Sequence, residues 1–237
     1  MIRKNLWCEL KGDTRMSKSK PFRLKVSGTN ACFTRPEMKV ERVSYEVMTP
    51  SAARGILEAI LWKPAIRWKV QQIDVLNPIK WASVRRNEVG SVVSAKNVKT
   101  AMKKGKGRLG MYVDEAKNRQ QRAGLFLRDV AYVIHAVFEM TDKAGEEDNV
   151  TKFEQMFLRR ATNGQCFHRP YFGCREFPVD FELIPQKGDP LPTVSESRDL
   201  GWMLYDLVYA GKEAMPQFFH AKMEKGAINL RNVEVRS

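Results

Sequence analysis

Residues 41–70, ERVSYEVMTPSAARGILEAILWKPAIRWKV, constrain the fold most, because they spell a strand, a helix and a second strand in one short span. Val43, Tyr45 and Val47 alternate with Ser44 and Glu46, the period-2 pattern of a half-buried strand. Thr49-Pro50-Ser51 predicts a helix start: proline is tolerated in a first turn, and Thr49 or Ser51 can cap the free donors. Ala52, Ile56, Ala59 and Ile60 follow at helical spacing, widened by Leu57 and Leu61. Lys63-Pro64 stops the helix, and Ile66, Trp68 and Val70 then alternate with Arg67 and Lys69.

The chain of 237 residues can bury a core in one large or two small domains, and 43% hydrophobic content excludes a disordered protein. No run approaches the length of a membrane-spanning helix. The first twenty residues, MIRKNLWCELKGDTRMSKSK, are basic but lack the apolar centre of a signal peptide. They are read as an N-terminal extension, 1–20, and a cytoplasmic location is expected. Cys8, Cys32, Cys166 and Cys174 are accordingly expected as thiols. The net charge of +14 calls for a polyanionic partner, nucleic acid before anionic membrane.

Along the chain, Phe22, Leu24 and Val26 predict a first strand, and Ile73–Leu76 a further one after Val70. From Ser94 to Arg128 there are ten lysines and arginines against two acidic residues, more than half of the chain's surplus. Lys103, Lys104, Lys106 and Arg108 sit at the tip, so 94–122 is expected as a solvated basic loop that orders on a polyanion. Val130–Phe138 is apolar on both faces and predicts a central strand. Lys152–Ala161 predicts an amphipathic helix with Phe153, Met156 and Phe157 inward and Glu154 and Arg160 outward. Short strands are expected around Arg169-Pro170, with another over Leu200–Val208 and a polar tail to Ser237. The order predicts an α+β domain of the split βαβ kind over 21–164 and a smaller β-rich part over 165–237.

Familiar catalytic signatures are missing. Cys166, His168 and Cys174 lack the paired spacing of a metal site, so no metal and no cofactor is expected. There is no phosphate loop, nucleophile elbow or dinucleotide fingerprint. His135 falls inside a strand, where a packed or hydrogen-bonded imidazole is expected. No recognition-helix pattern supports a DNA-binding factor. The remaining chemistry is that of Tyr, Lys, Arg and amides. Such a set suits RNA, whose 2′-hydroxyl is its own nucleophile, so strand cleavage needs only alignment, proton transfer and charge stabilisation. A tyrosine could orient or deprotonate that hydroxyl, and a lysine could stabilise the growing charge or protonate the leaving oxygen.

GTNACFTRPEMKVERVSYEVMTPSAARGILEAILWKPAIRWKV, IRWKVQQIDVLNPIKWASVRRNEVGS and FHRPYFGCREFP resemble the CRISPR-associated endoribonuclease of subtype I-C, a member of the RAMP superfamily. The resemblance runs from about Pro21 into the C-terminal region. It implies a ferredoxin-like, RRM-like N-terminal domain followed by a small antiparallel β-sheet domain. It also implies metal-independent cleavage of precursor CRISPR RNA at the repeat hairpin by 2′-hydroxyl attack, leaving a 2′,3′-cyclic phosphate. The protein would stay on the 5′ handle of the guide RNA inside the surveillance complex (Cascade). There it would touch the backbone and large subunits and meet target DNA only indirectly, with no membrane partner. A non-catalytic RNA-binding subunit of the same complex is the alternative. Tyr45 matches the family's proposed catalytic tyrosine and Lys117 its lysine, while Asn118 stands where some members have histidine and cannot shuttle a proton. Expected RNA contacts are Phe33, Arg35, Arg85, Arg86, Lys103, Lys104, Lys106, Arg108, Arg119 and Arg122, with Phe33 or Trp68 stacking bases.

Overall fold

The computed structural model describes residues 18–185, 188–210 and 213–237, and the extension expected over 1–20 lies almost wholly outside them. Alternation of Phe22, Leu24 and Val26 with Arg23 and Lys25 builds β1 (Phe22–Ala31), whose apolar set is buried. The helix predicted after Thr49 is α1 (Pro50–Ile60), and Thr49 caps it by accepting the Ala52 N–H at 3.3 Å. Next come β2 (Ile66–Val75), β3 (Trp81–Val89), α2 (Ala95–Lys104), β4 (Arg119–Met140), α3 (Val150–Thr162) and β5 (Asp180–Ile184). The chain ends with β6 (Arg198–Ala210), β7 (Glu213–Met223), β8 (Ala227–Asn229) and β9 (Val235–Arg236).

The larger sheet runs β5-β1-β4-β2-β8, every pair antiparallel, and β3 pairs with the leading half of β4. A second sheet has the order β6-β7-β9. The protein is thus a mixed α/β structure with antiparallel sheets. β4 is central, between β1 and β2, which is why its residues 130–134 are apolar on both sides. The core gathers where α1 and α3 meet the larger sheet: Phe157 lies 4.8 Å from both Phe22 and Trp68, ring centroid to ring centroid. Trp68 also donates its indole N–H to the Leu61 carbonyl at 2.8 Å, fixing the end of α1 to β2.

Several expectations are corrected. Val43–Val47 is not a strand, only a crossing segment with bridges at Val43 and Ser44. The Ser44 hydroxyl accepts the Phe33 N–H and donates to the Tyr45 carbonyl, engaging backbone groups that a ladder would use. The strands read at Ile66–Val70 and Ile73–Leu76 are one strand, β2, in which an irregularity between Val70 and Gln72 resets the alternation. The loop expected over 94–122 holds α2, closed by Gly105 in the left-handed region, and the first residues of β4. Glu154 points inward and accepts the Lys20 N–H at 2.7 Å. The expected polar tail forms β7, β8 and β9, with Phe219, Ala221 and Met223 buried at period 2. The part expected as a separate β-rich unit from 165 also supplies β5 and β8 to the larger sheet.

Among the described residues no helix is long and apolar enough to cross a membrane.

Candidate nucleic-acid interface

β3 and the first half of β4 form a ribbon, and its two faces differ in charge pairing. Register places Arg86 opposite Arg122 and Glu88 opposite Gln120, with Arg85, Asn87 and Val89 facing the other way. On the first face the charges sit in ion pairs, although the buried Nε of Arg122 makes no hydrogen bond among the described residues. Arg86 bonds Glu88 at 2.8 Å and Glu176 at 3.0 Å, Arg42 bonds Glu176 at 2.6 Å, and Arg122 lies 3.6 Å from Glu88. The Arg86 guanidinium also lies over the Phe126 ring, 5.5 Å from its centroid. Arg86, expected as a phosphate contact, fastens the ribbon to the 174–176 loop through Glu176, while Arg122, expected likewise, pairs within the ribbon with Glu88 and Gln120. Arg85 and Arg119 on the opposite side are exposed.

The cations of α2 and the following turn are presented outward. α2 buries none of its side chains, and Lys103, Lys104, Lys106 and Arg108 are exposed. A helix with no buried face is held by little besides its caps and its neighbours in sequence. Arg108 lies over the Tyr112 ring at 4.7 Å and reaches Glu115 at 3.7 Å. Glu115 is the hub of this turn: it also approaches Lys117 at 3.6 Å and accepts the Asn118 side-chain N–H at 2.7 Å. Lys117 keeps 80% of its side chain exposed, so its ammonium is available to a phosphate. Asn118 is fixed further by the Gly90 N–H bonding its carbonyl at 2.9 Å.

Tyr45 is elsewhere. It is only 2% exposed, with its backbone N–H on the Phe33 carbonyl and the Arg35 guanidinium over its ring at 4.5 Å. Burial pushes its hydroxyl above the usual tyrosine range and Glu37 adds to this, while the Leu204 backbone and Arg35 pull partly back. The neighbouring Ser44 meets β4 at Leu125, six strand steps beyond Arg119, or about 20 Å along the strand. The structure does not bring Tyr45 and Lys117 together. Phe33 and Trp68, each 2% exposed, are core residues with no face for a base. Phe33 packs edge-on against Tyr132 and Phe172. His135 is hydrogen-bonded, at 2.6 Å to Asp74. Burial works against ionised Asp74, but the bonds from His135 and Gln72 hold its carboxyl below the usual carboxylate range.

Sequence reading missed the thiol pair beneath the ribbon. Cys32 and Cys174 flank the Thr34 hydroxyl at 3.5 and 3.9 Å, and Arg42 approaches the Cys174 sulfur at 3.5 Å. Cys174 is pulled down to about 6, first by its hydrogen bond with Cys32 and also by Arg42, against burial and Glu176. Cys32 is pushed up by the same bond and by burial. Alkylation by iodoacetamide is therefore expected to begin at Cys174, with a midpoint near pH 6 that moves up in Cys32→Ala. A midpoint in the ordinary thiol range would contradict the pairing.

RNA affinity is expected to fall steeply with salt, and replacing Lys103, Lys104, Lys106 and Arg108 with alanine should flatten the log–log slope by about three to four. An unchanged slope in fluorescence anisotropy titrations would remove α2 from the interface.

The model of a family described as CRISPR-associated protein (Cas_Cas5), Cas_Cas5d, matches residues 22–231. A Mannheimia succiniciproducens protein named CRISPR pre-crRNA endoribonuclease Cas5d is 54% identical over 214 residues, covering 88% of this chain and 94% of that protein. A Thermus thermophilus protein of the same name is 41% identical over 223 residues, covering 86% and 89%. Two solved structures share the fold. One, titled as a CRISPR-associated protein, has a TM-score of 0.67 at 22% identity and covers 94% of this chain and 99% of its own. The other, a functionally uncharacterized Streptococcus mutans protein, has a TM-score of 0.66 at 22% identity and covers 94% and 100%.

Proposed function

Because the chain belongs to the Cas5d family of CRISPR-associated proteins, we propose that it is an endoribonuclease that cuts precursor CRISPR RNA at the repeat hairpin. It then remains on the 5′ handle as a subunit of the surveillance complex, in contact with the backbone and large subunits, inside the cell. The observation that carries the RNA-binding half is the outer surface of α2 and the ribbon, where Lys103, Lys104, Lys106, Arg85 and Arg119 are exposed and have no ion pair among the described residues. The order β1-α1-β2, β4-α3-β5, with β1 and β4 innermost, supports a ferredoxin-like reading of the larger sheet.

The chemistry is metal-independent. The 2′-hydroxyl gives its proton to water and attacks the adjacent phosphorus, the P–O5′ bond breaks, the leaving 5′-oxygen takes a proton from water, and a 2′,3′-cyclic phosphate results. Lys117 meets the phosphate and stabilises the charge that grows on it. Asn118, held by Glu115, orients a phosphate oxygen by hydrogen bonding. Tyr45 remains a phenol at neutral pH, so it serves as a positioning residue: its ring carries the Arg35 guanidinium, which faces the RNA.

The separation of Tyr45 from Lys117 favours one other reading, a non-catalytic RNA-binding subunit. Incubating the protein with repeat RNA in EDTA distinguishes the two. Cleavage, absent when the scissile ribose lacks its 2′-hydroxyl, is the expected result. Tight binding with intact RNA, in EDTA and with added divalent metal alike, would overturn the enzyme and leave the scaffold.

A further inference from the structure

The segment between α3 and β5 holds its side chains out while its backbone is pinned. The Phe167 N–H bonds the Ala59 carbonyl at 2.8 Å, and the Cys32 N–H bonds the Phe172 carbonyl at 3.0 Å. The Phe172 N–H reaches Phe177 at 2.8 Å and the Val179 N–H reaches Pro170 at 3.0 Å. Phe172 anchors the middle, fully buried, 6.0 Å from both Phe33 and Tyr132, centroid to centroid. Phe167 is nevertheless 89% exposed, and His168, Arg169 and Arg175 are exposed beside it. A slack loop could fold such a phenyl ring back onto the protein; this backbone holds it in water. The His168 ring lies 6.1 Å from Phe167 and 6.2 Å from Tyr171, so three rings form a continuous ridge.

His168 and Tyr171 divide two hollows. On one side is a cavity of about 360 Å³ walled by Thr49, which caps α1, by Ser51 and Arg54 of α1, and by Asp206 and Tyr209 of β6. On the other is an open hollow of about 510 Å³ bordered by Phe167, Arg169 and Arg175. The one carboxylate among these linings, Asp206, is already paired with Arg54 at 2.5 Å. Arg169 pairs with the exposed Asp180, and Arg175 has no ion pair among the described residues. Exposed aromatic rings set edge-on and tilted to one another, a net positive rim and a cavity of ligand size match what unpaired nucleotides require, separate stacking surfaces alternating with phosphate contacts.

We propose that residues 167–175 form a second RNA site, specific for single-stranded nucleotides and separate from the cations of α2. One base enters the cavity against Tyr171, its neighbour stacks on the Phe167–His168 edge of the ridge, and Arg175 with Arg169 holds the phosphate between them. The choice of RNA over other polyanions rests on the function proposed above. The site itself rests on the ridge and the hollows.

The test uses the full chain and two labelled probes in anisotropy titrations: a short single-stranded oligouridylate, and a blunt RNA hairpin without flanking nucleotides. Phe167→Ala and His168→Ala should each weaken oligouridylate binding about tenfold and leave the hairpin within about twofold. Phe167→Trp should hold or improve it. Neither side chain is packed in the core, so circular dichroism should not change. Unchanged oligouridylate affinity would overturn the site, and so would an equal loss for both probes. A protein that cuts repeat hairpins but ignores these substitutions refutes the site and leaves the endoribonuclease standing. One that loses oligouridylate binding yet never cuts RNA supports the site and refutes the endoribonuclease.

Discussion

Lys117→Ala is expected to slow cleavage of repeat RNA by at least about a hundredfold while weakening RNA binding only severalfold. The asymmetry follows from what the ammonium does in each state. In the ground state it is one cation among many exposed ones, and losing it removes about one phosphate contact. In the transition state it faces charge that exists only there, where such a contact contributes roughly a hundredfold to a thousandfold. Misfolding does not compete as an explanation, since Lys117 is exposed and its one ion pair among the described residues, with Glu115 at 3.6 Å, is long. The companion variant Tyr45→Phe should keep cleavage within about threefold, because the ring that carries Arg35 survives and the lost hydroxyl is buried and protonated. Single-turnover rates at saturating protein are the measurement. A Tyr45→Phe loss as deep as that of Lys117→Ala would restore the hydroxyl to the chemistry and contradict the positioning role.

Gly173→Ala should be the most damaging small substitution, destabilising the fold by more than about 3 kcal/mol. Gly173 has φ +77, a region costly for any residue with a Cβ, and the added carbon would overlap the Cys32 carbonyl oxygen and crowd Phe33. Relief would require parting the 170–174 segment from the end of β1, where the Phe172 ring is buried. The same movement would carry away Cys174 and Glu176, and with Glu176 the joint that holds Arg42 and Arg86. Thermal unfolding should show a lower midpoint, and any residual folded protein should lose the low Cys174 midpoint. By contrast Gly55→Ala, in α1 with nothing near the added carbon, should be neutral or slightly stabilising. A Gly173→Ala protein as stable as the parent would mean that the segment is not packed as described.

Legibility varied with the range of the determining contacts. Thr49-Pro50-Ser51 announced α1 because capping is a local event, settled within four residues. Val130–Phe138 announced a central strand because burial on two sides removes polar residues from both sets of positions. The Tyr45 segment misled because its alternation is real but its partner groups are taken by the Ser44 hydroxyl and by Phe33. The helix α2 was hidden by its own lysines: Ala95, Val98, Ala101 and Met102 do recur at helical spacing, but no face is buried and the charged residues between them read as a solvated loop. In β7, Phe219, Ala221 and Met223 carried a readable period, but the lysines and turns around them passed for a tail.

By itself the sequence determined the family, the basic character and the outward lysines of residues 94–122, because charge and local pattern are properties of neighbouring residues. Only the tertiary structure decided which cations are held by carboxylates and which aromatics stay exposed. Arg86 and Arg122 are spoken for by Glu88 and Glu176, Tyr45 and Phe33 are enclosed, and Phe167 is left in water. Each of those outcomes depends on partners brought close by folding, and a carboxylate ninety residues away in the chain neutralises an arginine as fully as one next door.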